Sequence, residues 1–341
     1  MAAPVLTPGQ SSLRLDVSDA GMVLVAQQRA RRVAEAAGLA PADVDAAALV
    51  AAELAGNAQR HGSGGQLVVQ PTADGAAVDV VALDRGPGMD WSRSSVDGYS
   101  TTLGSLGSGL GAVGRVSASV AAYAERGRGT VVSARIGPAG AAETVGAIGV
   151  PRRGERVNGD AWAWSFDDGG LFAVLADGLG HGPDAASAGA LAVAEPADLA
   201  GRTLPDALRH LSARLHGTRG AAVTAVRLRP AASGPGHELL ACGVGNVTAA
   251  VVRPDGAVRR SLIGHGTAGR AMRSPVETTT PVPEGGVVVL HTDGLLSQWD
   301  LRDRVRAVAA APSVLAAVLL RDHERGSDDI GVVVLRAGSG S

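Results

Sequence analysis

Apolar positions in the first sixty residues recur at helical spacing. Val23, Ala26, Ala30, Val33 and Ala37 fall three to four residues apart, with Ser18 and Asp19 able to cap the start and Gly38 to end the run. A second helix is predicted from Pro41 through Val44, Ala48, Leu49 and Ala52 to His61-Gly62, with Pro in the first turn and Gly after the last. The pattern then changes to strands at Leu67-Val68-Val69, Val78–Leu83 and Val131–Ile136, with a glycine-rich loop, Gly104 to Gly114, opening a short helix between the last two. Gly137-Pro138-Ala139-Gly140-Ala141 interrupts the order and marks a boundary, giving expected domains 1–137 and 143–338.

After it, Val145–Val150 reads as a strand, and Trp162, Trp164 and Phe166 alternate along another that starts at Asp160. Asp167-Asp168-Gly169-Gly170 turns the chain into a strand ending at Asp177. Helices are expected over Pro183–Leu199 and Leu204–Leu215, and strands over Ala221–Leu228, Glu238–Val244, Val247–Val252, Gly286–His291 and Ile330–Leu335. Strands in succession with helices grouped between them predict an α+β chain whose second half is a sandwich of sheets covered by helices.

Composition narrows the function. The chain has 341 residues, 45% hydrophobic and 19% charged, and no apolar stretch reaches the roughly 18 residues of a membrane span. Met1 to Ser12 has neither a basic nor an apolar signal region, so a cytoplasmic protein is expected. The net charge of -2, without a polybasic segment, argues against nucleic acid and anionic membrane and leaves protein or nucleotide as partners. Cys242 is the only cysteine, which excludes an internal disulfide, and Thr248 stands where a cysteine phosphatase needs its arginine. The chain contains no lysine, so the P-loop and the kinase Lys-Glu pair are both absent.

Two groups of polar residues remain. Glu53, Asn57 and His61 are spaced i, i+4, i+8 and share one face of an alanine-rich helix. They precede Asp84-Arg85-Gly86-Pro87-Gly88 at a strand end and the Gly107 to Gly114 loop, which can offer free N–H groups to phosphate. In the second half, Asp160, Asp177, Asp293 and Asp328 each fall at a strand terminus, and Asp177 opens the glycine-rich turn Asp177-Gly178-Leu179-Gly180-His181-Gly182. Any one Asp-Gly is ordinary turn chemistry. Four acids at strand ends point to a site for Mg²⁺ or Mn²⁺, which prefer hard oxygen donors.

The first group resembles the ordered boxes of the GHKL ATPases, on Glu53 to His61, Asp84-x-Gly86-x-Gly88, the Gly107 to Gly114 loop and Gly129-Thr130. It is most similar to the anti-sigma and stressosome switch serine kinases, with Asp97 to Thr101 favouring the stressosome kind. The resemblance implies an N-terminal GHKL (Bergerat) α/β sandwich that binds ATP through Asn57, Asp84, Gly86, Gly88, Gly107, Gly109, Gly111 and Thr130. It further implies Mg²⁺ on Asn57 and Glu53 as general base toward a substrate serine. His61 is expected to pack on the next strand.

The second group, with Asn158-Gly159-Asp160, Cys242 to Asn246, Thr292-Asp293-Gly294 and Ser327 to Ile330, resembles the PPM-type metal-dependent serine/threonine phosphatases. It looks most like the stressosome feedback and sporulation kinds. That implies a β-sandwich flanked by helices and two Mn²⁺ or Mg²⁺ ions, with Asp177 and the Gly178 carbonyl, Asp293, Asp328 and Asp160 as ligands. Asn246 stands where larger members have an aspartate tied to a third metal, and Gly331 where Ser or Thr is usual. His181 is expected to be a turn residue in contact with solvent.

Together the resemblances imply a bifunctional regulator, serine kinase and phosphoserine phosphatase, acting on STAS-domain proteins in a sigma-factor stress pathway and leaving homodimerisation open. The alternative is an N-terminal nucleotide-binding module that sequesters a partner or gates the phosphatase without phosphorylating anything.

Overall fold

The computed structural model describes residues 12–62, 64–88, 109–140 and 144–337. These divide into two compact units, residues 12–140 and 144–337. Among the described residues no helix is long and apolar enough to cross a membrane.

The first unit is one antiparallel sheet covered by helices. Its strands are β1 (Leu13–Val17), β2 (Gly65–Pro71), β3 (Val78–Leu83), β4 (Ser119–Glu125) and β5 (Gly129–Ile136), in the order β1-β2-β3-β5-β4. Helix α1 (Ala20–Ala36) starts where the Asp19 carboxylate accepts the N–H groups of Gly21 and Met22, and α2 (Pro41–His61) starts at its proline. Their alanine and valine faces pack with the apolar face of the sheet into one core that includes Ala30, Ala47, Leu54, Leu67, Val80 and Ile136. Small residues allow the two helices to approach the sheet closely. The end of the glycine-rich segment forms α3 (Gly109–Val116), the short helix expected there, and its residues 104–108 lie outside the described residues. Strands β1 and β4 were not expected. Both are sheet edges, only part-buried, and their short mixed sequences become strands by pairing with β2 and β5.

The second unit stacks two five-stranded antiparallel sheets. One has the order β13-β10-β9-β8-β7, from β7 (Asp160–Asp167), β8 (Gly170–Gly178), β9 (Ala221–Pro230), β10 (His237–Val244) and β13 (Thr278–Val282). The other has the order β12-β11-β14-β15-β6, from β6 (Val145–Val150), β11 (Thr248–Val252), β12 (Val258–Arg260), β14 (Val287–His291) and β15 (Ile330–Arg336). A Cβ at Gly149 of β6 would lie 2.5 Å from the Trp162 ring of β7, and one at Gly331 of β15 would lie 3.0 Å from Leu175 of β8. Glycine at both places lets the sheets meet.

Outside the first sheet lie α4 (Pro183–Val193), α5 (Pro196–Ala200) and α6 (Leu204–Arg214), burying Phe172, Val174, Leu204, Leu208 and Leu211. The single helix expected over 183–199 is broken: Glu195 adopts the left-handed region at φ 53° and Pro196 restarts the chain as α5. Helices α7 (Val305–Val308) and α8 (Pro312–His323) and strands β12 and β13 were also missed. Nearly every residue of α8 is buried, so it shows no polar face for periodicity to detect.

Candidate functional site

In the first unit, α2 and the ends of β3 and β5 form a pocket lined by Leu54, Asn57, Ala58, His61, Ala82, Asp84, Gly88, Leu110, Thr130 and Val132. Asp84 is held at its wall. Its Oδ1 accepts the N–H groups of Gly86 at 2.8 Å and Thr130 at 3.2 Å, while its own N–H donates to the Thr130 carbonyl at 2.9 Å. The glycines are needed for this approach: Gly129 has φ +81°, and a Cβ there would fall 2.0 Å from the Asp84 carbonyl oxygen. Two of the four sequence boxes thus meet at one carboxylate, and all four contribute to the pocket lining. Asn57 lines the same pocket and accepts from Arg60 Nη2 at 3.2 Å.

Glu53, one turn before Asn57 on α2, lies against the start of α3: a Cβ at Gly109 would sit 2.5 Å from its Oε2. The positive end of that helix favours a carboxylate or a phosphate there. Gly111 follows within α3, whereas Gly107 and residues 97–101 lie outside the described residues. His61 is exposed and lines the pocket instead of packing on the next strand. The sequence reading also missed the apolar lining of Leu54, Leu110 and Val132.

In the second unit, β7 starts and β8 ends at the same edge, which sets Asp160 directly opposite Asp177. Asp293 follows β14, and Asp328-Asp329 precede β15, the strand paired with β14. The electrostatics show that these acids converge. Burial and then the charges of Asp293, Asp328 and Asp329 push the Asp177 carboxyl up to about 7, with Asn246 opposing the rise. Asp160 is fully buried and raised well above 3.8 by burial and then Asp177, against a hydrogen bond from Thr292. Sequence reasoning had left Thr292 without a role.

Several contacts fix the geometry. Asn246 Nδ2 donates to Asp293 Oδ2 at 2.7 Å, and Thr292 Oγ1 donates to Asp160 Oδ2 at 2.7 Å. Asp329, buried where Asp328 is exposed, accepts the N–H groups of Arg152 and Gly159 at 2.7 Å each and so ties the β6–β7 connection to the start of β15. A Cβ at Gly178 would lie 2.0 Å from the Ala185 carbonyl, so only glycine fits between the Asp177 turn and the first turn of α4. His181 Nδ1 pairs with Glu155 Oε1 at 3.0 Å beside the same turn.

The donor chemistry suits a hard divalent cation, because several carboxylates raise one another's proton affinity and a cation would relieve that repulsion. Among the described residues, however, no three His, Cys, Asp or Glu side chains already surround a common point. The acids share an edge without forming a closed cage.

The family described as Stage II sporulation protein E (SpoIIE) matches residues 167–338, half of the chain, so Asp160 lies just ahead of the matched range. The histidine kinase-like ATPase domain matches residues 12–136. None of the curated proteins shows significant similarity. Among solved structures, one from work on the bacterial stressosome as a modular system adapted to control secondary messenger signalling is 25% identical. Its TM-score is 0.50, over 57% of this chain and 98% of its own. The magnesium complex of RsbX is 20% identical with a TM-score of 0.46, over 56% of this chain and 94% of its own. The serine/threonine phosphatase PstP of Mycobacterium tuberculosis is 19% identical with a TM-score of 0.42, over 56% and 96%. Matched over half of its length, this chain belongs to the stage II sporulation protein E family of PPM-type phosphatases, here preceded by a histidine kinase-like ATPase domain.

Proposed function

We propose that the C-terminal unit removes phosphate from a serine or threonine of a regulatory protein, using Mg²⁺ or Mn²⁺. The observation that carries this reading is the pairing of Asp160 with Asp177 across β7 and β8, at the edge where Asp293 and Asp328 also end. Asp160, Asp177, Asp293, Asp328 and the Gly178 carbonyl would hold the ions. When bound, a divalent pair supplies charge neutralisation and an activated water, so no side-chain nucleophile is needed. The chain's own part is positioning: Asn246 steadies Asp293, and Asp329 pins the Gly159 turn.

The N-terminal unit, in the same reading, binds ATP with Asp84 receiving the adenine amino group. Asn57 would hold Mg²⁺, and the N–H groups from Gly107 to Gly111 would face the phosphates. Glu53, beside the start of α3, takes the proton of the incoming serine hydroxyl. Both halves would act on STAS-domain proteins of a partner-switching, sigma-factor stress pathway in the cytoplasm. The likeness to a solved structure from work on the bacterial stressosome supports a stressosome-type setting for the phosphatase half.

Incubation with a phosphorylated STAS-domain protein and Mn²⁺ should release phosphate, and Asp177→Asn should reduce the rate at least a hundredfold. Release by the variant at the wild-type rate would refute the phosphatase assignment. Labelled ATP tests the other half: transfer to the STAS protein that Glu53→Gln abolishes supports the kinase, whereas tight ATP binding without transfer selects the sequestering alternative.

A further inference from the structure

Thr292 carries a role that the acids alone do not explain. It is fully buried, at 0% exposure, immediately after β14 and before Asp293. Its hydroxyl hydrogen goes to Asp160 Oδ2 at 2.7 Å, and its oxygen accepts the Gly331 N–H at 2.9 Å. The backbone closes the same link, since Thr292 N–H donates to the Gly331 carbonyl at 3.1 Å. Asp160 belongs to the first sheet, whereas Thr292 and Gly331 belong to the second. The hydroxyl is thus a polar bridge between the two sheets at the edge where the acids gather.

Room for the bridge comes from Gly331, where a Cβ would lie 3.3 Å from Asp160 Cβ and 3.4 Å from its Oδ2. The base of Thr292 is held too. Trp299 Nε1 donates to His291 Nε2 at 3.2 Å, and His291 Nδ1 lies 2.8 Å from the Thr292 carbonyl. A ring that accepts at Nε2 carries its hydrogen on Nδ1 and donates to that carbonyl.

We propose that Thr292 is a positioning residue that sets the rotamer of Asp160 and so its position relative to Asp177, Asp293 and Asp328, buttressed by His291 and Trp299. The inference rests on the divalent-cation reading of the acid cluster. An outer hydrogen-bond partner of this kind is worth about 10- to 100-fold in metal affinity.

The test is Mn²⁺ titration of the full chain by calorimetry, for wild type, Thr292→Val and Thr292→Ser. The expected result is Mn²⁺ binding at least tenfold weaker in Thr292→Val and close to wild type in Thr292→Ser, with hydrolysis by the valine variant recovering as Mn²⁺ is raised. Equal Mn²⁺ affinity in wild type and a folded Thr292→Val overturns the proposal, even where the melting temperature has dropped. Wild type that binds no divalent ion instead removes the cation reading itself, and the proposal falls with it. If Thr292→Val does not fold, Thr292→Ala against Thr292→Ser decides by the same titration.

Discussion

Replacing Asp177 by asparagine should stabilise the metal-free protein while abolishing its proposed hydrolysis. Asp177 Oδ atoms lie among like charges, and burial together with Asp293, Asp328 and Asp329 lifts its carboxyl from 3.8 to about 7. A carboxyl whose affinity for protons rises on folding contributes stability below its unfolded value and loses it as pH rises. The loss therefore starts near pH 3.8 and is complete above about pH 7. A rise from 3.8 to about 7, at about 1.4 kcal/mol per tenfold change in proton affinity, comes to about 4 kcal/mol above that pH. Asparagine still buries an amide and the site is partly open to solvent, so the expected gain is about 2 kcal/mol.

For a unit of this size that corresponds to a rise of about 4 to 8 °C in the second unit's transition. Tryptophan fluorescence follows it well, since Trp162, Trp164 and Trp299 all belong to that unit. Melts in EDTA at pH 5 and pH 8 should show the variant's advantage growing with pH. Added Mn²⁺ should then raise the wild-type transition and leave the variant unmoved. A variant less stable than wild type in EDTA, or an advantage that shrinks from pH 5 to pH 8, would refute the account of Asp177.

Other outcomes follow from single contacts. Asp79 and Arg135 pair across β3 and β5 at 2.7 and 2.8 Å with little solvent access. Asp79→Ala, which strands the guanidinium, should cost about 3 to 5 kcal/mol in denaturant melts of the first unit. Gly129→Ala should cut nucleotide binding by fluorescent-ATP titration, because its Cβ would displace the Asp84 backbone at 2.0 Å. Burial pushes the Cys242 thiol up to about 11. At pH 8 it should stay unreactive toward a disulfide reagent such as DTNB until the protein is unfolded in guanidinium, and rapid native labelling would show the β10 region to be open.

Much of this protein was already legible along the chain. Two glycine-ended, alanine-rich segments, one capped by Asp19 and one led by Pro41, become α1 and α2, because their caps and their apolar spacing are local properties. The acids at Asp160, Asp177, Asp293 and Asp328 stood out because each falls at a strand terminus, and a charge at a strand end needs only local sequence to be noticed. Elements whose stability is not local were missed. Strands β1 and β4 exist through their pairing partners, α8 through burial on nearly every side, and the break at Glu195 through a backbone conformation that no periodicity records. Only the tertiary structure could show that Asp160 faces Asp177, that Asp329 serves as a tie between loops, and that Thr292 joins the two sheets. Those relations span from 17 residues of sequence to more than a hundred. They are decided by strand register and by glycines that let backbones touch, physical conditions that exist only once the sheets have packed.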